Sequence, residues 1–443
     1  MEKKTMTPAE KREARFQTWS AAEGVQFESP EAKASYNAAV ARFRDVVLVE
    51  KTPDRVPVFP LGTFMVPQLY GVTPFEAMYD TEKMLGAQLS FLRDYKPDYY
   101  TTPALIGCGK VFDILDYKQY RLPGHGIAKT SVYQYVEGEY MLADEYPALI
   151  QDPSDFWIRT LMPRGYGALD PLKMIAPFTD MWEVVLVSAQ MIPFGIPPVQ
   201  GALKALLDAG TEAMTWIQKV MGYEMQARGM GFPGAFGGAT KAPFDILSDT
   251  LRGTRAAMLD MYRQPDMVLK AVERITPLAI SQGVRGATMA GCPVVFIPLH
   301  KGADGFMSDA QFKKFYWPSL KGLILGLAAE GCVPFCFCEG SYNTRLEYLK
   351  ELPKASCMWI FDRTDMARAK EAIGDKICIG GNVSSGLILT GTPEEVKAYC
   401  KEVIDIAGKG GGYFMCTGTA MDEGKAETIH AMIDATKEYG VYR

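Results

Sequence analysis

The chain has 443 residues, 48% hydrophobic and 22% charged, enough to build a large core and too apolar for a disordered or fibrous protein. A formal net charge of −5 supplies no basic field for phosphate recognition, which argues against nucleic acid as a partner. No apolar run reaches the roughly 18 residues of a membrane span, and the charged start from Met1 to Arg15 lacks an apolar signal core, so a cytoplasmic protein is expected.

In chain order, residues 1 to about 30 are polar and predict a peripheral helix that docks loosely. Val56 to Pro60 and Asp98 to Pro103 are strand candidates separated by the helical stretch Pro74 to Tyr95, a β-α-β rhythm. Between Leu122 and Met141, glycines punctuate alternating Val, Tyr and Gln residues and predict an inserted β-hairpin. Helical periodicity returns over Pro153 to Leu161 and across Met181 to Ala227. Met230 to Ala242 (MGFPGAFGGATKA) is rich in Gly and small residues and predicts a loop that approaches something closely or moves. Helices are predicted over Asp245 to Tyr262 and Pro265 to Met289.

Five short apolar runs then recur as strands: Pro293 to Pro298, Val333 to Cys338, Ser356 to Phe361, Ile377 to Gly381 and Gly412 to Cys416. Helices over Asp309 to Glu330, Asn343 to Leu352, Asp365 to Ile373, Pro393 to Ala407 and Lys425 to Tyr439 alternate with them, and Thr392, Pro393 and Glu395 read as a capping box with Pro at the first helical position. Continuously apolar strands are the mark of a parallel sheet covered on both sides. The dinucleotide and P-loop glycine fingerprints are absent from the appropriate strand ends, so the α/β reading is a TIM (β/α)8 barrel with an N-terminal helical extension and an inserted hairpin.

A barrel enzyme draws its chemistry from the C-terminal ends of several strands. Those positions offer His300, Lys301 and Asp304; Cys336, Cys338 and Glu339; Asp362, Arg363 and Asp365; Asn382; and Cys416 with Thr417 and Thr419 beyond it. Seven of the nine cysteines fall at or after Cys332. Cys332, Cys357, Cys378 and Cys400 read as packing residues. Cys336 and Cys338 share a strand face, with Phe335 and Phe337 on the other. Two thiolates with a third sulfur or an imidazole would suit a catalytic zinc, so Cys336, Cys338 and Cys416 are the candidate metal ligands. His300, Glu339 and Asp362 are the candidate catalytic groups, and Arg363, Asn382 and Phe337 the candidate substrate contacts. His125, in a Gly-flanked turn, and His430, mid-helix, are set aside.

From Val56 onward, and most clearly over FMSDAQFKKFYWPSLKGLI, AKEAIGDKICIGGNV, GTPEEVKAYCKEVIDIAGKGGGYFM and ETIHAMIDATKEYG, the chain resembles the uroporphyrinogen decarboxylase superfamily, which includes corrinoid-dependent methyltransferases. The resemblance implies a domain over 51–443 preceded by a helical extension over 1–50, a pocket at the C-terminal face of the barrel, and either decarboxylation or methyl transfer to a corrinoid. Two departures qualify it. The decarboxylases hold their tetrapyrrole's carboxylates with an Arg-rich segment, where this chain reads PVFPLGTFMVPQLYG without Arg. The zinc-binding methyltransferases carry a His-x-Cys motif and a later Cys, where this chain has Cys336-Phe337-Cys338, with Thr419 aligned to the later Cys and Cys416 three residues before it. The expectation is a methyltransferase acting on a small substrate such as an aromatic methyl ether, with zinc and with a corrinoid on a partner protein. A metal-free decarboxylase or lyase and a non-catalytic corrinoid or tetrapyrrole binder are the alternatives.

Overall fold

The computed structural model describes residues 6–442. Seven parallel strands are hydrogen-bonded in the order β1 (Val58–Phe59), β9 (Tyr413–Cys416), β8 (Cys378–Gly381), β7 (Met358–Phe361), β6 (Val333–Cys338), β5 (Val294–Leu299) and β4 (Gly238–Ala239). The opening between β4 and β1 is bridged by residues 98–101. The Asp98 amide donates to the Val58 carbonyl (3.0 Å), the Tyr100 amide to the Pro233 carbonyl (3.2 Å), and the Ala235 amide to the Tyr100 carbonyl (2.9 Å). This eighth segment closes the barrel, as the rhythm of the sequence predicts. The remaining strands, β2 (Tyr120–Arg121) and β3 (Gln134–Tyr135), form the inserted antiparallel hairpin.

Alternation along each strand sorts side chains into two cores. Val294 and Phe296 of β5, Phe335 and Phe337 of β6, Met358 and Ile360 of β7, and Phe414 and Cys416 of β9 fill the barrel interior. Their neighbours Val295 and Ile297, Cys336 and Cys338, Trp359 and Phe361, and Tyr413 and Met415 pack outward against the helices. The interior is aromatic: Phe236 lies 5.0 Å from Phe335 and 4.8 Å from Phe296, and Phe59 lies 5.8 Å from Phe414, between ring centroids. These contacts fill the lumen, so chemistry is confined to its upper rim.

Two expectations are corrected. The N-terminal helix, Pro8–Ala21, is not loosely docked: its Phe16 and Trp19 are buried, and with Phe43 and Val47 of the next helix, Pro30–Leu48, they close the lower end of the barrel. Trp19 meets Phe43 edge-on at 5.3 Å, and Phe43 in turn meets Phe414 at 5.7 Å. The Gly-rich stretch 230–242 is not a plain loop, because it contains β4. A Cβ on Gly238 would lie 2.7 Å from the Gly283 carbonyl oxygen and 2.9 Å from the Ala287 nitrogen, so the strand can lie against helix Pro265–Ala290 only without side chains there. The expected close approach is real, and it is backbone on backbone.

Candidate active site

The inward register of β5 continues beyond Leu299 to His300, that of β6 to Glu339, and that of β7 to Asp362. His300 is the hub. Its Nδ1 lies 2.6 Å from Asp249 Oδ2, and its Nε2 faces Glu339 Oε1 at 3.8 Å. Asp249 also binds Lys241 Nζ (2.6 Å) and Lys301 Nζ (3.1 Å). Asp245, fully buried, accepts from the backbone amides of His300 (2.9 Å) and Lys301 (3.1 Å) and from the Tyr316 hydroxyl (2.8 Å). Both carboxylates come from the segment just past β4: a helical turn, Pro243–Asp245, runs into a π-helical stretch, Ile246–Arg252. One aspartate fixes the backbone on which His300 sits and the other fixes its ring.

The charges follow from these contacts. Burial alone would raise the Asp249 carboxyl, but its hydrogen bond to His300 and the ammonium groups of Lys241 and Lys301 outweigh burial and hold it low. Burial works against the His300 cation, yet the bond to Asp249 and the fields of Asp245 and Glu339 raise the imidazole above its ordinary value. Asp245 is pushed up by burial. The result is an imidazole whose cationic form is favoured by its surroundings, with Nδ1 committed to the Asp249 carboxylate and Nε2 pointing toward the partly exposed Glu339.

The hairpin roofs this rim. The Tyr135 hydroxyl donates to the Asp249 carbonyl (2.7 Å). Tyr120 packs edge-on against Tyr133 (5.4 Å) and Tyr135 (5.6 Å), and Tyr133 against Phe64 (5.4 Å). Burial, and then the charges of Asp249 and Glu339, hold the Tyr120 phenol above its usual range.

The other expected residues are placed as follows. Asp362 is nearly buried, accepts from the Gly340 amide (3.0 Å) and is raised by burial. Phe337 lies inside the barrel two residues below Glu339, with its ring 5.6 Å from Phe296. Arg363 is 82% exposed, 3.7 Å from Asp362, and stands outside the cluster. Asn382 does not offer its amide to a ligand: Nδ2 donates to the Thr364 carbonyl (3.1 Å) and Oδ1 accepts from Tyr399 (2.8 Å). Thr417 is likewise engaged, accepting from the Leu61 amide and donating to the Thr419 carbonyl.

The three-cysteine metal set is not assembled. Cys336 and Cys338 do share a face, but it is the outer one, packed against the helical shell, where burial keeps both thiols far above their normal range. Cys416 faces the interior and is buried among apolar side chains that push it up to about 12. A zinc ion needs deprotonated sulfur converging on one point, whereas these sulfurs lie on opposite sides of the barrel wall. Among the described residues, no group of three or more His, Cys, Asp or Glu side chains is arranged to hold a metal ion. On β6 the two inward positions at ligand spacing are 337 and 339, which hold Phe and Glu.

Asp249, Asp245 and Lys241 were not legible as site residues. The available signal was an acidic pair four residues apart directly after a barrel strand, and it was hidden because β4 read as a loop.

Comparison with known proteins agrees with this architecture. Residues 233–439, from the start of the β4 region to the closing helix, match the family model described as Uroporphyrinogen decarboxylase (URO-D). This stretch belongs to the uroporphyrinogen decarboxylase superfamily. The superfamily region contains β4 to β9 and with them Asp245, Asp249, His300, Glu339 and Asp362. Uroporphyrinogen decarboxylase of Coxiella burnetii is 19% identical over 300 residues, covering 64% of this chain and 81% of its own length. That of Aromatoleum aromaticum is 23% identical over 270 residues, covering 59% and 69%. A solved structure, a methyltransferase from Methanosarcina mazei, superposes with a TM-score of 0.61 at 16% identity over 90% of this chain and 98% of its own. At that identity the likeness is one of fold.

Proposed function

We propose that this chain is a methyltransferase that passes the methyl group of a small ether, with aromatic methyl ethers as the favoured class, to a corrinoid acceptor carried by a partner protein in the cytoplasm. The observation that carries the reading is the geometry of His300, held at Nδ1 by Asp249 with Nε2 left facing the partly exposed Glu339, in surroundings that favour its protonated form. In ether cleavage the carbon–oxygen bond breaks and its electron pair stays on oxygen, so a proton delivered to that oxygen lowers the barrier. Nε2 of His300 is the donor, Asp249 stabilises the cation before transfer, and Glu339 returns a proton from solvent afterwards. A corrinoid, when bound, supplies the nucleophilic acceptor for the methyl group. Asp362, whose carboxyl is raised by burial, and the Phe337 ring below it bound the substrate space, with the tyrosines of the hairpin above. Zinc has no step in this scheme.

Incubation of the purified protein with a panel of methoxylated aromatics and reduced cobalamin tests the reading. The expected outcome is methylcobalamin formation that falls about 10²- to 10⁴-fold in His300→Ala, the range of a lost general acid. Transfer undiminished in that variant, or absent with every ether tried, contradicts it.

A second reading is a metal-free decarboxylase or lyase, favoured by the absence of sulfur at the inward β6 positions and by the names of the curated relatives. In that case His300 protonates the carbon that carbon dioxide leaves. Carbon dioxide release without any corrinoid would select it. A corrinoid absorption band without turnover would instead point to a binder.

A further inference from the structure

The hairpin and the segment that carries Asp249 are joined more closely than a roof resting on a rim requires. The π-helical stretch Ile246–Arg252 ends at Gly253, whose φ of +77° turns the chain out of the helix. Carbonyls in the last turn of a helix have no partner within it. Here consecutive ones are taken by the hairpin and its flanks: the Asp249 carbonyl accepts from the Tyr135 hydroxyl (2.7 Å), the Thr250 carbonyl from Gln119 Nε2 (2.8 Å), and the Leu251 carbonyl from the amides of Tyr140 (2.9 Å) and Met141 (2.8 Å). Gln119 is 8% exposed and fully engaged, its Oε1 accepting from the Tyr117 hydroxyl (3.2 Å) and its carbonyl from the Val136 amide (2.9 Å). Backbone meets backbone along this seam, since a Cβ on Gly253 would lie 2.7 Å from the Gly138 carbonyl oxygen.

Two of these bonds bear on one side chain. The Asp249 carbonyl is held by the hairpin while its carboxylate lies 2.6 Å from Nδ1 of His300. An aspartate side chain is short and takes rotamers set by its own backbone, so fixing the carbonyls of Asp249 and Thr250 fixes where the carboxylate lies. The hairpin ladder is only Tyr120 with Tyr135 and Arg121 with Gln134, too little to stand alone, so roof and catalytic segment hold each other in place. The charged groups that face His300 are Asp249, Asp245, Glu339 and Lys241, with Lys301 bound to the same Asp249. None of these is on the hairpin, and its Tyr120 and Tyr135 phenols are held above their usual range and stay neutral. The hairpin therefore reaches His300 through the backbone at 249 and 250.

We infer that Gln119 and Tyr135 are positioning residues: by fixing the carbonyls of Thr250 and Asp249 they hold the Asp249 carboxylate on Nδ1 of His300, so that seating the aromatic roof and orienting the acid are one event. The inference rests on the reading of His300 as proton donor and deepens it. A substrate ring that packs on Tyr120 and Tyr133 steadies the same bonds and so orders its own acid.

Nitrogen-15 imidazole titration of Tyr135→Phe and Gln119→Met, with thermal midpoints alongside, tests this without substrate. Each change removes a donor and keeps the bulk, and Tyr135, 38% exposed, is the milder site, so it decides the matter if Gln119→Met does not fold. The expected result is folded variants whose His300 titrates lower than in wild type, because a loosened carboxylate stabilises the cation less. With a methoxylated aromatic and reduced cobalamin, methyl transfer at neutral pH is expected to fall by up to about 10²-fold, as for a misplaced catalytic group. That deficit should narrow as pH is lowered through the variant's His300 value, whereas a protein that is merely less stable loses activity alike across that range. A titration unchanged from wild type in one variant overturns the role of that residue, and in both overturns the inference. A lowered titration with no ether consumed upholds the positioning and overturns the methyl-transfer reading instead.

Discussion

At the scale of single residues, the two aspartates past β4 divide the work of holding His300. Asp245 accepts three hydrogen bonds in full burial, so Asp245→Ala strands two backbone amides and a hydroxyl. The expected loss is about 3 kcal/mol of stability, read as a lowered denaturant midpoint at unchanged slope. Asp249 acts on charge. Its depressed carboxyl contributes stability that is present above the unfolded value of about 4 and is lost as pH falls through its folded value. The raised His300 contributes stability that is complete below about 6.5 and is lost as pH rises through its folded value. The pair is therefore strongest from about pH 4 to 6.5, and Asp249→Asn should remove the alkaline-side decline in stability. Thermal unfolding midpoints for both proteins from pH 5 to 9 check this; parallel curves would contradict it.

Among the strands and helices, legibility depended on how each announces itself. The five closing strands were plain in the sequence because parallel strands covered on both sides are short, unbroken apolar runs. That same double burial hid their facing. On β6, Phe335 and Phe337 are as apolar as Cys336 and Cys338, so no polar alternation marks the inner side, and the cysteines fell on the outer one. Strand β4 failed for the opposite reason: it is only Gly238–Ala239, and the glycine that lets it pass helix Pro265–Ala290 carries no strand propensity. Gly238→Ala forces a Cβ to 2.7 Å from the Gly283 carbonyl, an overpacking expected to cost about 3 kcal/mol and, by shifting the 243–252 segment, to weaken the Asp249–His300 contact as well. A hydrogen-exchange comparison over 233–252 would show the effect, and protection equal to wild type would contradict it. The aromatic hairpin was legible as an element but not as a roof, since its position depends on the long-range Tyr135 bond to Asp249.

Across the whole molecule, the barrel presents polar, titratable groups at its rim where the sequence motif suggested sulfur and metal. The sulfur is enclosed instead: all nine cysteines are buried and free of disulfides. Purified protein is expected to contain zinc well below one equivalent by elemental analysis, and the double variant Cys336→Ala with Cys338→Ala should lose stability by about 2–3 kcal/mol of packing without changing bound metal. Stoichiometric zinc that disappears in that variant would contradict this. The central claim, that Asp249 fixes His300 at the barrel rim and favours its protonated form, is open to direct observation because the chain has only three histidines. Nitrogen-15 imidazole titration of wild type and Asp249→Asn should show a His300 pKa above the ordinary value of about 6.5 in wild type and a lower one in the variant. An ordinary His300 pKa that is the same in both proteins would contradict the account.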